Sequence, residues 1–276
     1  DRGSLMGGGL EANYSGEREG FGRGDGGGRG PFAGGLPCTG TFNASSGRVT
    51  CAAETRNGLT INRSAQYKDA SGNVQQAFDT ATTNSVNTQT SVTGTVTYAP
   101  ESDERGDERG GNRGPGGGRG PGRACWGDGR GAGGLLLGDT ATIVSATTTV
   151  NDVSDRTVTG LAKGSTQRTA NGTSKGQEST TGESSRGKFT ATRVAGDTTT
   201  GLVIPVTTDG KSYPTAGTVI RSMQASVTYE GQAATTVTRR EVVTYDGSAT
   251  AKVVITENGT TRNCTRPLPR GPLSCS

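Results

Sequence analysis

Along most of this chain, apolar and polar positions alternate one by one, which is the period of a β-strand with one face covered. From Ser85 to Tyr98 the text SVNTQTSVTGTVTY places Val86, Thr88, Thr90, Val92, Gly94, Val96 and Tyr98 on one side. That run predicts a long, half-buried strand. Upstream, RVTCAAET is followed by GLTINRSAQY and NVQQAFDT, and the KDASG between the last two reads as a hairpin turn. Downstream come DTATIVSATTTVNDVSD, RTVTGLAKG, TQRTANGTSKG and KFTATRVAGDTTTGLVIPV, and then TVIRSMQASVTYEGQ, ATTVTRREVVTYDGS, TAKVVITENGT and TRNCT. Asp246-Gly247 and Asn258-Gly259 are dipeptides that favour two-residue hairpin turns, because both central residues need positive φ. The expected fold is all-β, an extended antiparallel meander sheet.

Two stretches break the alternation. Residues 1–37 form a long Gly/Arg-rich, irregular N-terminal arm, and residues 100–134 form an internal Gly/Arg-rich loop that interrupts the β domain of residues 38–276. Neither can build a helix or a central strand. The insert would leave and re-enter one sheet.

Composition sharpens the picture. Apolar residues make only 28% of the 276, and Gly fills 48 positions. An average globular domain holds roughly 40% apolar residues with Gly set aside, so one compact core of this size is not expected. Thr takes the place of much of the missing apolar material, and its branched side chain suits a half-wet pleated surface. The faces stay polar where a sandwich would carry Val and Phe. A thin or strongly curved sheet with one modest apolar face is therefore expected, rather than a closed immunoglobulin-like sandwich.

The chain has no His. That removes the commonest general base, the Ser-His and Cys-His nucleophile pairs, and the commonest zinc and haem ligand. No enzymatic activity and no cofactor are expected, and no residue is assigned a catalytic or metal-binding role. Glycine clusters such as GDGRGAGG are not followed by a helix, so a dinucleotide loop is not expected. Arg-Gly repeats suggest RNA binding, but residues 1–37 hold four Arg against five acids, and residues 100–134 hold six against six. A neutral polyampholyte releases few phosphate counterions, so no nucleic-acid partner is expected.

Large side chains stand alone among the glycines of the arm and the insert: Leu5, Met6, Leu10, Tyr14, Phe21, Phe32 and Trp126, then the Leu135, Leu136 and Leu137 run. Spaced this way they cannot bury one another, and they read as anchors for pockets on a protein partner. The three leucines also suit peripheral contact with lipid headgroups. Segments of this composition become ordered only where something holds them.

Five cysteines occupy positions 38, 51, 125, 264 and 275. A turn over Asn43 to Ser46 would set Cys38 opposite Cys51, and a cross-strand disulfide is the natural reading. Cys264 and Cys275 bracket the proline-rich TRPLPRGPLS, which needs a staple of its own. Cys125 is left over. Two disulfides imply an oxidising compartment, either periplasm or cell surface. The opening at Asp1, with no initiator Met or signal peptide, fits a processed product.

The segments RTVTGLAKGSTQRTANGTS, GLVIPVTTDGKSYPTAGTVIRSM, RREVVTYDGSATAKVVIT and NCTRPLPRG resemble a set of Gly- and Thr-rich exported proteins of gemmatimonad bacteria. The likeness runs from about Thr39 to the C-terminus and brings no catalytic activity with it. Phototrophic gemmatimonads build a reaction centre inside a double antenna ring, and the chain resembles a membrane-extrinsic subunit of that complex. The resemblance implies a non-enzymatic, periplasmic structural subunit, membrane-associated through its partners, that holds the reaction centre against antenna polypeptides. The competing expectation is a surface adhesin or filament protein whose sheet edges pair with other copies. A carbohydrate-binding or carbohydrate-degrading protein ranks below both, given one Trp and no paired carboxylates on strands.

Overall fold

The computed structural model describes residues 40–98, 142–207, 213–269 and 271–276. These form a single antiparallel sheet of 14 strands in meander order, with no helix among the described residues. The first strands are short: β1 (Gly40–Asn43), β2 (Arg48–Cys51), β3 (Glu54–Arg56), β4 (Leu59–Asp69) and β5 (Val74–Gln75). The centre is long: β6 (Thr83–Tyr98), β7 (Ile143–Thr159), β8 (Gln167–Ser184), β9 (Gly187–Pro205) and β10 (Ala216–Tyr229). The sheet then tapers through β11 (Thr235–Thr244), β12 (Thr250–Glu257), β13 (Thr260–Pro267) and β14 (Ser274–Cys275). At 3.3 Å per residue, the 19 residues of β9 span about 60 Å.

β6 and β7 flank the Gly-rich insert in sequence and are neighbours in the sheet, paired from Ser85↔Thr159 to Tyr98↔Ala146. The alternation predicted for Ser85 to Tyr98 holds. Val86 is buried, while Thr88, Thr90, Val92, Gly94 and Val96 on the same side are half-buried. Tyr98, at the strand's end, is 46% exposed. RTVTGLAKG contributes to the same strand as the segment before it, and β8 continues well past the predicted TQRTANGTSKG. Those residues read as separate pieces because Gly, Ser and Lys interrupt them. In the sheet, Ser154, Gly172, Lys175 and Gly176 each have a strand neighbour on both sides that fixes the backbone, while Gly160 to Ser165 form the turn between β7 and β8.

Turn chemistry was legible in part. Asn258 and Gly259 both take positive φ, 48° and 82°, and join β12 to β13 directly. Asn57 and Gly58 do the same between β3 and β4. Asp246-Gly247 departs from expectation: it lies in a longer loop between β11 and β12, where Asp246 Oδ1 accepts from the Ser248 amide and only Gly247 is left-handed. The first hairpin is also re-registered. Gly40, not Cys38, faces Cys51, because Asn43 is the last strand residue and the turn covers 44–47. Asn43 Oδ1 accepts from the Ser45 and Ser46 amides, and Gly47 closes the turn at φ 63°. Cys38 lies outside the described residues, and Cys51 is disulfide-bonded.

One face of the sheet is wet and the other is buried. On β8 the outward residues Asn171, Thr173, Lys175, Gln177, Ser179 and Thr181 are exposed, while Ser174, Gly176, Thr180 and Ser184 between them are buried. On β12, Ala251, Val253 and Ile255 are buried and their neighbours Thr250, Lys252 and Val254 are exposed.

The buried face carries three apolar clusters. One gathers Val49, Ala65, Tyr67 and Val86, with Phe42, Phe78 and Leu161 against it. A second joins Ala146, Phe189, Ala191, Ala225, Val227 and Tyr229. The third comprises Val219, Val243, Ala251, Val253, Ile255 and Cys264. β8 offers little bulk to this face, so side chains of β7 and β9 lie over it. A Cβ at Gly182 would come within 2.9 Å of the Phe189 ring.

Both edges are blunt. The outer side of β4 is covered piecewise by β2, β3 and β5, and the last full strand, β13, is capped at Cys264 and Thr265 by β14. Short edge pieces and nearby prolines discourage strand addition by another chain.

Candidate functional site: a band of compensated charge on the buried face

Between the apolar clusters, the buried face carries charge. Strand register puts Arg63, Thr90, Ser154, Ser174, Asp197, Arg221, Glu241, Ile255 and Arg262 in one row across nine neighbouring strands, from β4 to β13. Burying an ion unpaired costs several kcal/mol, so charges survive here only with partners.

The partners are present. Arg156 on β7 donates to both carboxylate oxygens of Asp197 on β9, at 3.1 and 3.2 Å, reaching across β8 to do so. Gly172 makes room, since a Cβ there would lie 2.8 Å from Arg156 Cγ. Ser174, directly between, donates a short hydrogen bond to Asp197 Oδ1. Arg193 binds Glu178 at 3.0 Å. Farther along, Arg221 meets Glu241 at 3.1 Å, Arg239 lies 3.5 Å from Glu241 and 3.9 Å from Glu257, and Arg262 closes on Glu257 at 3.2 Å. The Glu241 side chain is only 1% exposed and that of Arg239 6%. Uncharged groups follow the same rule, as Thr148 and Thr180 share a hydrogen bond of 2.9 Å.

Asp152 is the exception. Its carboxyl is pushed up to about 6, first by burial and then by the negative charge of Glu178, with Arg193 and the Gln177 amide opposing. It lies over Gly176, where an added Cβ would collide with Asp152 Oδ1.

The wet face is polar and internally bonded at its β2–β8 end. Arg48 donates to Ser64 Oγ at 2.9 Å and to Asn87 Oδ1 at 2.7 Å. Asn87 and Gln89 in turn donate to Asp155 at 2.6 and 2.8 Å. A trough of about 600 Å³ lies here, with Thr50, Asn62, Gln89, Asp155, Thr173 and Lys175 among its lining. Among the described residues, no group of three or more Cys, Asp or Glu is placed to hold a metal ion, and no helix is long and apolar enough to cross a membrane.

Of the residues singled out by sequence, Cys264 and Cys275 are brought together, face to face in the β13–β14 ladder and bonded at 2.05 Å. Leu5, Met6, Leu10, Tyr14, Phe21, Phe32, Cys38, Trp126, Leu135, Leu136 and Leu137 lie outside the described residues. Sequence reasoning missed the charge band. Its signal was present in VTRREVV, where Arg239 and Glu241 fall in phase with Val237 and Val243, the apolar positions of the same strand. No family model, no curated protein and no solved structure matches the chain.

Proposed function

We propose that the chain is a non-enzymatic structural module, a disulfide-stapled β platform that holds components of a larger assembly together. The observation that carries this reading is the use of the buried face. Its charges are spent almost entirely on one another, in cross-strand pairs that stiffen the sheet rather than converge on an open reactive centre. The blunt edges favour a platform over the competing filament, because β-pairing between copies needs a long open edge strand.

In its narrower form, the assembly is a photosynthetic reaction centre with its antenna polypeptides, the platform is periplasmic, and Leu5, Met6, Leu10, Tyr14, Phe21, Phe32, Trp126 and Leu135 to Leu137 seat in partner pockets. This form rests on the resemblance of the segments from RTVTGLAKG to NCTRPLPRG. The Cys264–Cys275 disulfide supports an oxidising compartment. Affinity purification of the tagged chain from its native membranes, followed by mass spectrometry and an absorbance spectrum, tests both levels. Co-purification at fixed stoichiometry with pigment proteins supports the narrow form, and with other membrane subunits the broad one. A homopolymer, or a monomer with no partner, contradicts both.

A further inference from the structure

The buried face pairs nearly all its carboxylates with arginine, and the exception sits in its middle. Asp197 has Arg156, Glu178 has Arg193, Glu241 has Arg221 and Arg239, and Glu257 has Arg262. Among the described residues, no arginine or lysine comes within ion-pairing distance of Asp152. Strand β7 nevertheless turns this side chain inward, between Val92 on β6 and Gly176 on β8. The absent side chain of Gly176 is what gives the carboxyl its place.

We propose that Asp152 is a proton-operated lock on the β7–β8 seam. Protonated, it rests neutral over Gly176 beside the Glu178–Arg193 pair; ionised, it adds a second negative charge beside Glu178, with one arginine to serve both. The charged groups around it are few. Glu178 on β8 and Arg193 on β9 act on it through their charges, the first raising and the second lowering its titration. Arg156, four residues along its own strand, is committed to Asp197. Arg63 on β4 stands beyond β6 and is paired with Glu54. β6 itself presents Val92 and Thr90, which carry no charge.

The direction follows from the elevated carboxyl, held near 6 in the sheet against about 3.8 when free. A raised acid in the folded state favours folding in its protonated form, so stability is lost as pH climbs from about 4 through 6. The chain has no His. Among the described residues, the other shifted carboxyls, Asp69, Asp79 and Asp246, are all lowered, the opposite direction to Asp152. Mild acid therefore tightens the middle of the sheet, and neutral pH loosens it.

The test is denaturant unfolding of the full, oxidised chain at pH 5.0 and pH 7.5, for the wild type and for Asp152→Asn. The wild-type unfolding constant should rise about tenfold over that interval, and that of the variant should stay level. An equal rise in both would overturn the proposal. Should the variant fail to fold, the wild type suffices: the Asp152 carboxyl carbon, followed by NMR, should titrate near 6 and carry the Gly176 and Gln177 amide signals with it. A midpoint at or below 4.5, or titration without movement of those amides, would overturn it equally.

Discussion

The aliphatic cluster between β10 and β13 and the charged stretch over β7 to β9 line the same face of the same ladder with opposite chemistry, the first almost sealed from solvent and the second partly open to it. The corner packs Val219, Val243, Val253 and Ile255 against one another. The stretch packs Arg156, Ser174, Glu178, Arg193 and Asp197. An aliphatic corner loses transfer energy and gains a cavity when one member is cut, and the rest stay content. A charged stretch fails differently, because removing one ion leaves its partner buried and uncompensated. A chain with 28% apolar residues can cover a long sheet this way, provided that its charges arrive in pairs.

The largest expected effect comes from breaking the ionic row where it runs beside the aliphatic cluster, at Glu241 on β11. Glu241→Ala strands Arg221 and Arg239 together, and should cost about 3–5 kcal/mol in urea unfolding, comparable to the loss of a buried pair partner elsewhere. On the aliphatic side, Ile255→Ala should cost about 2–4 kcal/mol, from lost apolar burial and the cavity left behind, with both neighbouring ion pairs kept. If Ile255→Ala proves the more damaging of the two, the contrast between the regions is wrong. Smaller again is the edge staple. Replacing Cys264 and Cys275 together by Ser should lower stability by about 2–3 kcal/mol in the oxidised protein, and reduction of both proteins, which also opens the Cys51 disulfide in each, should bring the two near parity.

The smallest effect lies outside the band. Asp246 is held down at about 2 by hydrogen bonds from Ser248 and Lys252 and by the charge of Lys252. A lowered carboxyl supports the fold above its free value near 3.8 and loses that support as pH falls toward 2. Asp246→Asn should therefore shallow the acid limb of a thermal denaturation series between pH 4 and pH 2 and leave the neutral limb unchanged. Because this carboxyl is on the surface, 0.5 M salt should shrink the difference.

The contrast also explains what the sequence could and could not convey. Period-two alternation made the strands and the meander legible, and Asn258-Gly259 marked its turn, because these depend on neighbours in the chain. The hairpin at Cys51 slipped by two residues because Asn43 and Gly47 define a four-residue turn through side-chain hydrogen bonds that composition alone does not rank. The charge band was missed for a deeper reason. Arg156 and Asp197 lie 41 residues apart and meet only across a third strand, over the space left by Gly172. Nothing local to either residue announces the other. Asp152 could not be told from any strand-borne Asp until register set it over Gly176.

The buried charges stabilise the sheet by compensating one another. A double-mutant cycle on Arg156 and Asp197 reads that claim directly: Arg156→Met, Asp197→Leu and the combined variant, each unfolded in urea at pH 5. Each single change should destabilise by about 3 kcal/mol or more, and the combined variant should recover at least about 1 kcal/mol of the sum. Simple additivity of the two losses would mean that the residues do not act as a pair, and would contradict the account.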